Sequence, residues 1–177
     1  PAGRRSILEC SADEVRAIYH QRHRQFWVLQ PFLTLQSSYA CYPILDDHEV
    51  VDNFGTHPDH ATPRWENLRE GALDAFYDYQ GQRVKPRVDG RRPPDLGYGF
   101  RWGPAAFYAL DIRSHRRTQG GKTEPFTDTQ LDDLERFLAN NGDATLLSFV
   151  TTIPLIYMER RTAALLTQVL SEGSDIH

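Results

Sequence analysis

The spacing of apolar residues along the chain predicts four helices, because apolar side chains recur every three or four positions in each of them. The helices span residues 11–29, 62–80, 127–142 and 159–170. Their apolar faces comprise Val15, Ile18, Tyr19, Phe26 and Leu29 in the first, Trp65, Leu68, Ala72 and Phe76 in the second, and Leu131, Leu134 and Leu138 in the third. Capping residues and helix breakers flank them, namely Ser11 with Glu14, Pro31, Thr62 with Pro63, Gly81, either Thr127 or Asp128, and Gly142.

Four apolar runs predict strands over residues 39–45, 98–103, 105–112 and 144–154. The last run is apolar along its length, which is typical of a strand buried inside a covered sheet. Strands that alternate with helices indicate a layered α/β domain. In such domains the functional residues lie just beyond the carboxyl ends of the strands. The corresponding places in this chain are residues 46–49, 111–116 and 151–154.

Length and composition limit the classes of protein that fit. The chain has 177 residues, 40% apolar and 25% charged, which suits one globular domain. The net charge of −4 disfavours a stable nucleic-acid partner, because such proteins are usually basic. No long apolar run predicts a membrane span and no signal peptide is visible, so the compartment stays open. Cys10 and Cys41 form no disulfide framework, and we expect reduced thiols.

The most promising chemistry follows the first predicted strand, where Asp46, Asp47, His48 and Glu49 are consecutive. Three carboxylates supply the hard oxygen ligands that metal ions prefer. The neighbouring acids would favour the charged form of the histidine, which could then donate a proton to a phosphate ester or stabilise its charge. A solvated acidic turn is the alternative, and local spacing does not decide between the two.

Other polar residues are weaker candidates. Asp111 ends a strand, and we expect it to fix the following loop, whereas Arg113 could also clamp a phosphate. At the chain end, Asp175 and His177 have the i, i+2 spacing of a metal pair, although chain ends are commonly frayed. His20 and His23 have conceivable ligand spacing but are better explained as surface groups. His57 and His60 could form a ligand pair with Asp59, but they rank below the cluster at residues 46–49 because nothing upstream holds their loop rigid.

The order of five segments resembles the alkaline phosphatase D (PhoD-like) family. These segments are DDHEVVDNFG, GALDAFYDYQ, GYGFRWGPAAFYALDIRSHR, PFTDTQLDDLERFL and ATLLSFVTTIP. The resemblance implies a metal-dependent phosphomonoesterase or phosphodiesterase that acts on a small phosphate ester. It also implies the αββα fold of the metallophosphatases, in which helices sandwich two sheets, with only part of that fold present in this chain.

The resemblance also implies roles for individual residues. Asp47 matches a metal-ligand acid and His48 matches the adjacent catalytic histidine. The further implied residues are Asp175 and His177 as metal ligands, and Asn53, Arg113 and Arg116 as substrate-binding residues. Calcium is the metal that the family implies, with iron as the other candidate.

This chain departs from the family pattern at both ends. The family's first ligand segments would precede Pro1, the sole methionine is Met158, and Ser174 stands where the family usually has glycine. We therefore expect residues 1–177 to form a single domain, the central part of a PhoD-like domain that lacks its N- and C-terminal parts. The alternative is a catalytically silent α/β fragment, or an interaction domain that uses the basic stretch from Lys85 to Arg101. The oligomeric state stays open.

Overall fold

The computed structural model describes residues 5–119 and 122–154. These residues form a mixed α/β structure, as the sequence predicts. In chain order its elements are α1 (Ala12–Trp27), α2 (Gln30–Ser38), α3 (Glu66–Tyr79), β1 (Tyr98–Trp102), β2 (Ala105–Ala109), β3 (Arg117–Gln119), β4 (Lys122–Glu124), α4 (Asp128–Asn140) and β5 (Leu146–Val150). The predicted helix over 159–170 lies outside the described residues, as does the closing segment 174–177.

The capping box at the start of α1 is confirmed. The backbone N–H of Glu14 donates to Ser11 Oγ at 3.3 Å, and the backbone N–H of Ser11 donates to Glu14 Oε2 at 2.7 Å. Helix α1 ends at Trp27 rather than at residue 29. Pro31, which was expected to mark the end of this helix, lies in the first turn of α2. Proline is tolerated there because the first turn needs no N–H donor.

Helices α1 and α3 enclose the larger core. Val15 and Tyr19 pack with Leu68, Ala72 and Phe76 in a single buried cluster. The predicted α1 face is too wide, since Ile18, Phe26 and Leu29 are 46–58% exposed. The predicted second helix begins as a 3₁₀ turn at Pro63–Trp65 and becomes α-helical at Glu66.

The sheet has the order β1-β2-β5, with β1 antiparallel to β2 and β5 parallel to β2. Helix α4 packs on β2, where Tyr108 and Phe137 have ring centroids 5.2 Å apart. Leu134 contributes to this second core, whereas Leu131 is 42% exposed and the polar Gln130 takes the buried position. Beyond β2, the strands β3 and β4 pair antiparallel as a separate two-stranded sheet.

Two strand predictions need correction. Residues 39–45 are irregular and contact the sheet without forming a hydrogen-bonded ladder. Tyr42 stacks on Phe100, and the backbone O of Pro43 accepts a hydrogen bond from Tyr98 Oη at 2.9 Å. Strand β5 is an edge strand of the described sheet rather than a covered one. Its apolar side chains stay partly exposed, namely Leu146, Leu147, Phe149 and Val150.

Two predictions from composition can be compared with the structure. Cys10 is buried and both cysteines are free thiols, as expected. Within residues 5–119 and 122–154, no helix combines the length and the apolar character that crossing a bilayer requires.

Candidate metal centre

The acidic cluster lies in two successive turns that follow residue 45. Backbone N–H groups close them, from Val50 to Asp47 O at 2.9 Å and from Phe54 to Val51 O at 3.0 Å. Val50 and Phe54 are each 1% exposed and anchor the turns in the α1–α3 core. The apolar anchors thus fix the backbone of the two turns. The polar side chains of the turns face outward or toward Arg113.

Asp47 is the buried member of the cluster, at 7% exposure. Its Oδ2 accepts a 2.6 Å hydrogen bond from the backbone N–H of Asn53. Burial of the Asp47 carboxyl favours its neutral form, but the Asn53 N–H and the Arg113 charge outweigh burial and lower its pKa. Asp47 is therefore a carboxylate at neutral pH, as a metal ligand must be.

His48 and Asp52 face each other on the exposed side of the turns. His48 Nε2 lies 3.1 Å from Asp52 Oδ1, and both side chains are more than 70% exposed. The other Asp52 oxygen accepts a 2.8 Å hydrogen bond from Asn53 Nδ2. Asp47, His48 and Asp52 each offer a ligand atom, and these atoms lie within 4.8 Å of one another. Sequence reasoning missed Asp52, although its i, i+4 spacing from His48 was a usable signal.

Arg113 connects this cluster to the loop after β2. Its Nε donates to Asp46 Oδ1 at 2.9 Å, its Nη1 donates to Phe54 O at 3.2 Å, and its Nη2 lies 3.9 Å from Asp47 Oδ1. The side chain is only 8% exposed. Two of its nitrogens, Nε and Nη1, already have protein acceptors, so Nη2 is the nitrogen that could contact a phosphate. The phosphate-binding role expected for Arg113 stays a prediction.

Asp111 fixes the backbone that presents Arg113. Its carboxylate accepts three backbone hydrogen bonds, from Leu96 at 2.7 Å, Arg113 at 3.2 Å and Ser114 at 2.9 Å. Gln130 makes two further bonds of 2.8 Å to the backbone N–H and C=O of Asp111. The loop-fixing role expected for Asp111 is confirmed, and Gln130 is a positioning residue that the sequence did not reveal.

The remaining predicted residues are more scattered. Asn53 is exposed and joins the cluster through Asp47 and Asp52. Arg116 packs its aliphatic stem on Gly55, where an added Cβ would meet Arg116 Cβ at 2.8 Å, and its substrate contact stays a prediction. His60 Nδ1 accepts a 3.0 Å bond from the Gly55 N–H, so that nitrogen is not free to ligate a metal. Asp175 and His177 lie outside the described residues.

The basic stretch proposed as an alternative interaction surface is largely neutralised. Lys85 Nζ lies 2.6 Å from Asp95 Oδ1, Arg87 pairs with Asp78 at 3.0 Å, and Arg92 pairs with Asp74 at 2.9 Å. Pairing of this kind leaves little free charge for an acidic partner.

The donor set of the cluster fits a metal ion in type. The two carboxylates supply the oxygen ligands that calcium takes, and the imidazole adds a nitrogen donor that suits iron. Asp47 is held by protein contacts, while His48 and Asp52 are solvent-accessible. One side of the cluster is thus rigid and the other is open to a ligand.

Comparison with models of known protein families gives a match to this chain. The model of the PhoD-like phosphatase family matches residues 4–147, which include the acidic turns, Asp111 and α4. Neither the curated proteins nor the solved structures give a significant match. The matched range confirms the resemblance carried by the sequence motifs and indicates phosphatase-type hydrolysis in general. The chain therefore belongs to the PhoD-like phosphatase family.

Proposed function

We propose that this chain takes part in metal-dependent hydrolysis of phosphate esters, both monoesters and diesters. The observation that carries the proposal is the cluster of Asp47, His48 and Asp52, whose donor atoms lie within 4.8 Å of one another inside the family match. The proposal assigns Asp47 and Asp52 as metal ligands and His48 as the catalytic histidine. Calcium is the first candidate metal because both assigned ligands are carboxylates.

The residues of the cluster and its surroundings have separate roles in the proposed hydrolysis. A bound cation would polarise the phosphoryl oxygens and lower the pKa of an attacking water. Asp52 Oδ1, at 3.1 Å from His48 Nε2, orients the imidazole ring. As the water oxygen bonds to phosphorus and the ester P–O bond breaks, His48 transfers its proton to the departing oxygen. Arg113 and Asp111 keep the turn in place.

Asp175 and His177 are proposed as further ligands on the strength of the family resemblance, and Asn53, Arg113 and Arg116 as residues near the substrate phosphate. A centre with more than one metal ion requires ligands from several segments. The turn over 46–52 would then be one wall of that centre. Ligands from other segments would complete the coordination of the calcium or iron ions.

Hydrolysis assays with two matched histidine variants test the role of His48. The substrates are p-nitrophenyl phosphate and bis(p-nitrophenyl) phosphate, each with added calcium or iron. We expect His48→Ala to lower turnover about 10²- to 10⁴-fold, as is usual for loss of a general acid. His57→Ala removes an exposed histidine outside the cluster and should leave turnover within about twofold, since such surface changes have small effects. Equal activity of the two variants would contradict the assignment of His48.

A further inference from the structure

A groove lined with aromatic residues lies directly beside the candidate metal centre. The end of α1, the start of α2 and the acidic turn enclose it, and its volume is about 350 Å³. The residues that matter here are Arg22, His23, Phe26, Trp27, Phe32 and His48. We call it the aromatic groove. Its size lies within the range of small-ligand sites.

His48 belongs to both features. It lines the aromatic groove, and it also lies within 4.8 Å of the other donors of the metal cluster. The aromatic groove and the metal cluster therefore adjoin at this side chain.

The walls of the groove are flat and are held in place by their neighbours. The rings of Trp27 and Phe32 meet edge to face with centroids 5.2 Å apart, and Trp27 also contacts Tyr79 at 5.5 Å. The guanidinium of Arg83 lies 4.7 Å from the centre of the Trp27 ring. Phe26 is 58% exposed, so its ring surface is available to a ligand. Preformed aromatic walls favour planar rings, which stack at little entropic cost.

One cation in the groove complements a phosphate. Arg22 lines the groove together with Tyr19, whose hydroxyl donates to Val50 O in the acidic turn. Arg22 forms no ion pair within residues 5–119 and 122–154, whereas Arg16 on the same helix is bound to Asp78 at 2.6 Å. A free guanidinium at this position attracts phosphate oxygens.

We propose that the aromatic groove binds the organic group of the substrate and selects phosphate esters that carry a flat aromatic ring. The inference rests on the proposed function, because His48 joins the groove to the metal cluster. It assigns Phe26 and Phe32 as specificity residues and Arg22 as a contact for the phosphate.

Two phosphonates that cannot be hydrolysed as esters test the groove by direct binding. Phenylphosphonate and methylphosphonate carry the same anionic group and differ in the ring, so calorimetric titration of the 177-residue chain with calcium present compares the ring alone. We expect phenylphosphonate to bind about tenfold more tightly, which corresponds to about 1.4 kcal/mol. Phe26→Ala should reduce this preference at least threefold and leave methylphosphonate binding unchanged. Val28→Ala is the matched control, since Val28 is 69% exposed and does not line the groove.

The outcomes separate failure of the groove from failure of the proposed function. Equal affinity for both phosphonates, or a ring preference that survives Phe26→Ala, would overturn the groove assignment while the phosphate site stands. If neither phosphonate binds, the proposed function and the groove assignment are both overturned. A concentration-dependent dimer that Phe26→Ala dissociates, without any ring preference, would assign this surface to a second copy of the chain and would also overturn the proposal.

Discussion

Replacing Arg113 with alanine tests how the acidic turn is held in place. The guanidinium is 8% exposed and donates to Asp46 at 2.9 Å and to Phe54 O at 3.2 Å. The substitution leaves the Phe54 carbonyl without this donor and removes the nearest cation from Asp47. We therefore expect the folded state to lose stability, because the turn loses its link to the loop after β2.

The size of the loss follows from the two bonds. A charge-assisted bond to a buried carbonyl contributes about 1.5–3 kcal/mol. The pair with Asp46 contributes about 0.5–1 kcal/mol, because the Asp46 side chain is 43% exposed. Together they predict a loss of about 3 kcal/mol in the free energy of unfolding. With a urea dependence of about 2 kcal/mol per molar, the midpoint of unfolding falls by about 1.5 M.

Urea unfolding followed by circular dichroism measures this loss, with two comparison variants. Arg113→Lys keeps the charge without the planar fork, so we expect it to recover only part of the stability. Arg24→Ala removes an exposed arginine of α1 and should change stability by less than about 0.5 kcal/mol. A loss below about 1 kcal/mol for Arg113→Ala would refute the claim that this side chain holds the turn.

Three further predictions concern the scaffold. Gln130→Ala removes both bonds to the Asp111 backbone and should cost about 2–4 kcal/mol in urea unfolding; a cost below about 0.5 kcal/mol would contradict this. Gly71→Ala would place a Cβ 2.4 Å from Ala12 O, so it should lower the thermal midpoint despite its better helix propensity, and an unchanged midpoint would argue against tight α1–α3 packing. Burial raises the pKa of Asp78, but Arg16, His20 and Arg87 outweigh it and lower that pKa below its ordinary 3.8. This carboxylate therefore stabilises the fold above pH 3.8, and the stabilisation is lost as the pH falls through the lowered pKa. Asp78→Asn should reduce that acid sensitivity, which is measured by comparing unfolding at pH 3 and pH 7.

Local signals predicted α1, α3 and α4 well, whereas α2 was not predicted. The capping box of Ser11 and Glu14, the apolar spacing of α3 and the Thr127 cap of α4 act within one turn of the chain, so the sequence displays them directly. The strands β1 and β2 were equally visible, because they are neighbours in sequence and pair with each other.

Features that depend on distant contacts were not predictable. Residues 39–45 have the apolar composition of a strand, but Tyr42 and Pro43 satisfy their contacts against β1 without a hydrogen-bonded ladder. Gln130 is polar in sequence, yet it is buried because Asp111 offers both a donor and an acceptor on the facing backbone. Periodicity treats such a residue as part of an exposed face.

The candidate site shows the same division. The run from Asp46 to Glu49 was recognisable because its chemistry is contiguous, and so was the family to which it belongs. The contribution of Asp52 depends on the two turns that bring it to 3.1 Å from His48, and the groove depends on how α2 leaves α1. Both require the folded backbone.

Metal content is the most direct test of the central claim, that Asp47 helps to hold a metal ion. The chain and its Asp47→Asn variant are dialysed against calcium or iron, and bound metal is counted by elemental mass spectrometry. Asp132→Asn serves as the control, since it removes an exposed carboxylate of α4 far along the chain from the cluster. We expect at least one ion per chain in the wild type and the control, with most of it lost in Asp47→Asn. Equal metal content in all three proteins, or none in any, would contradict it.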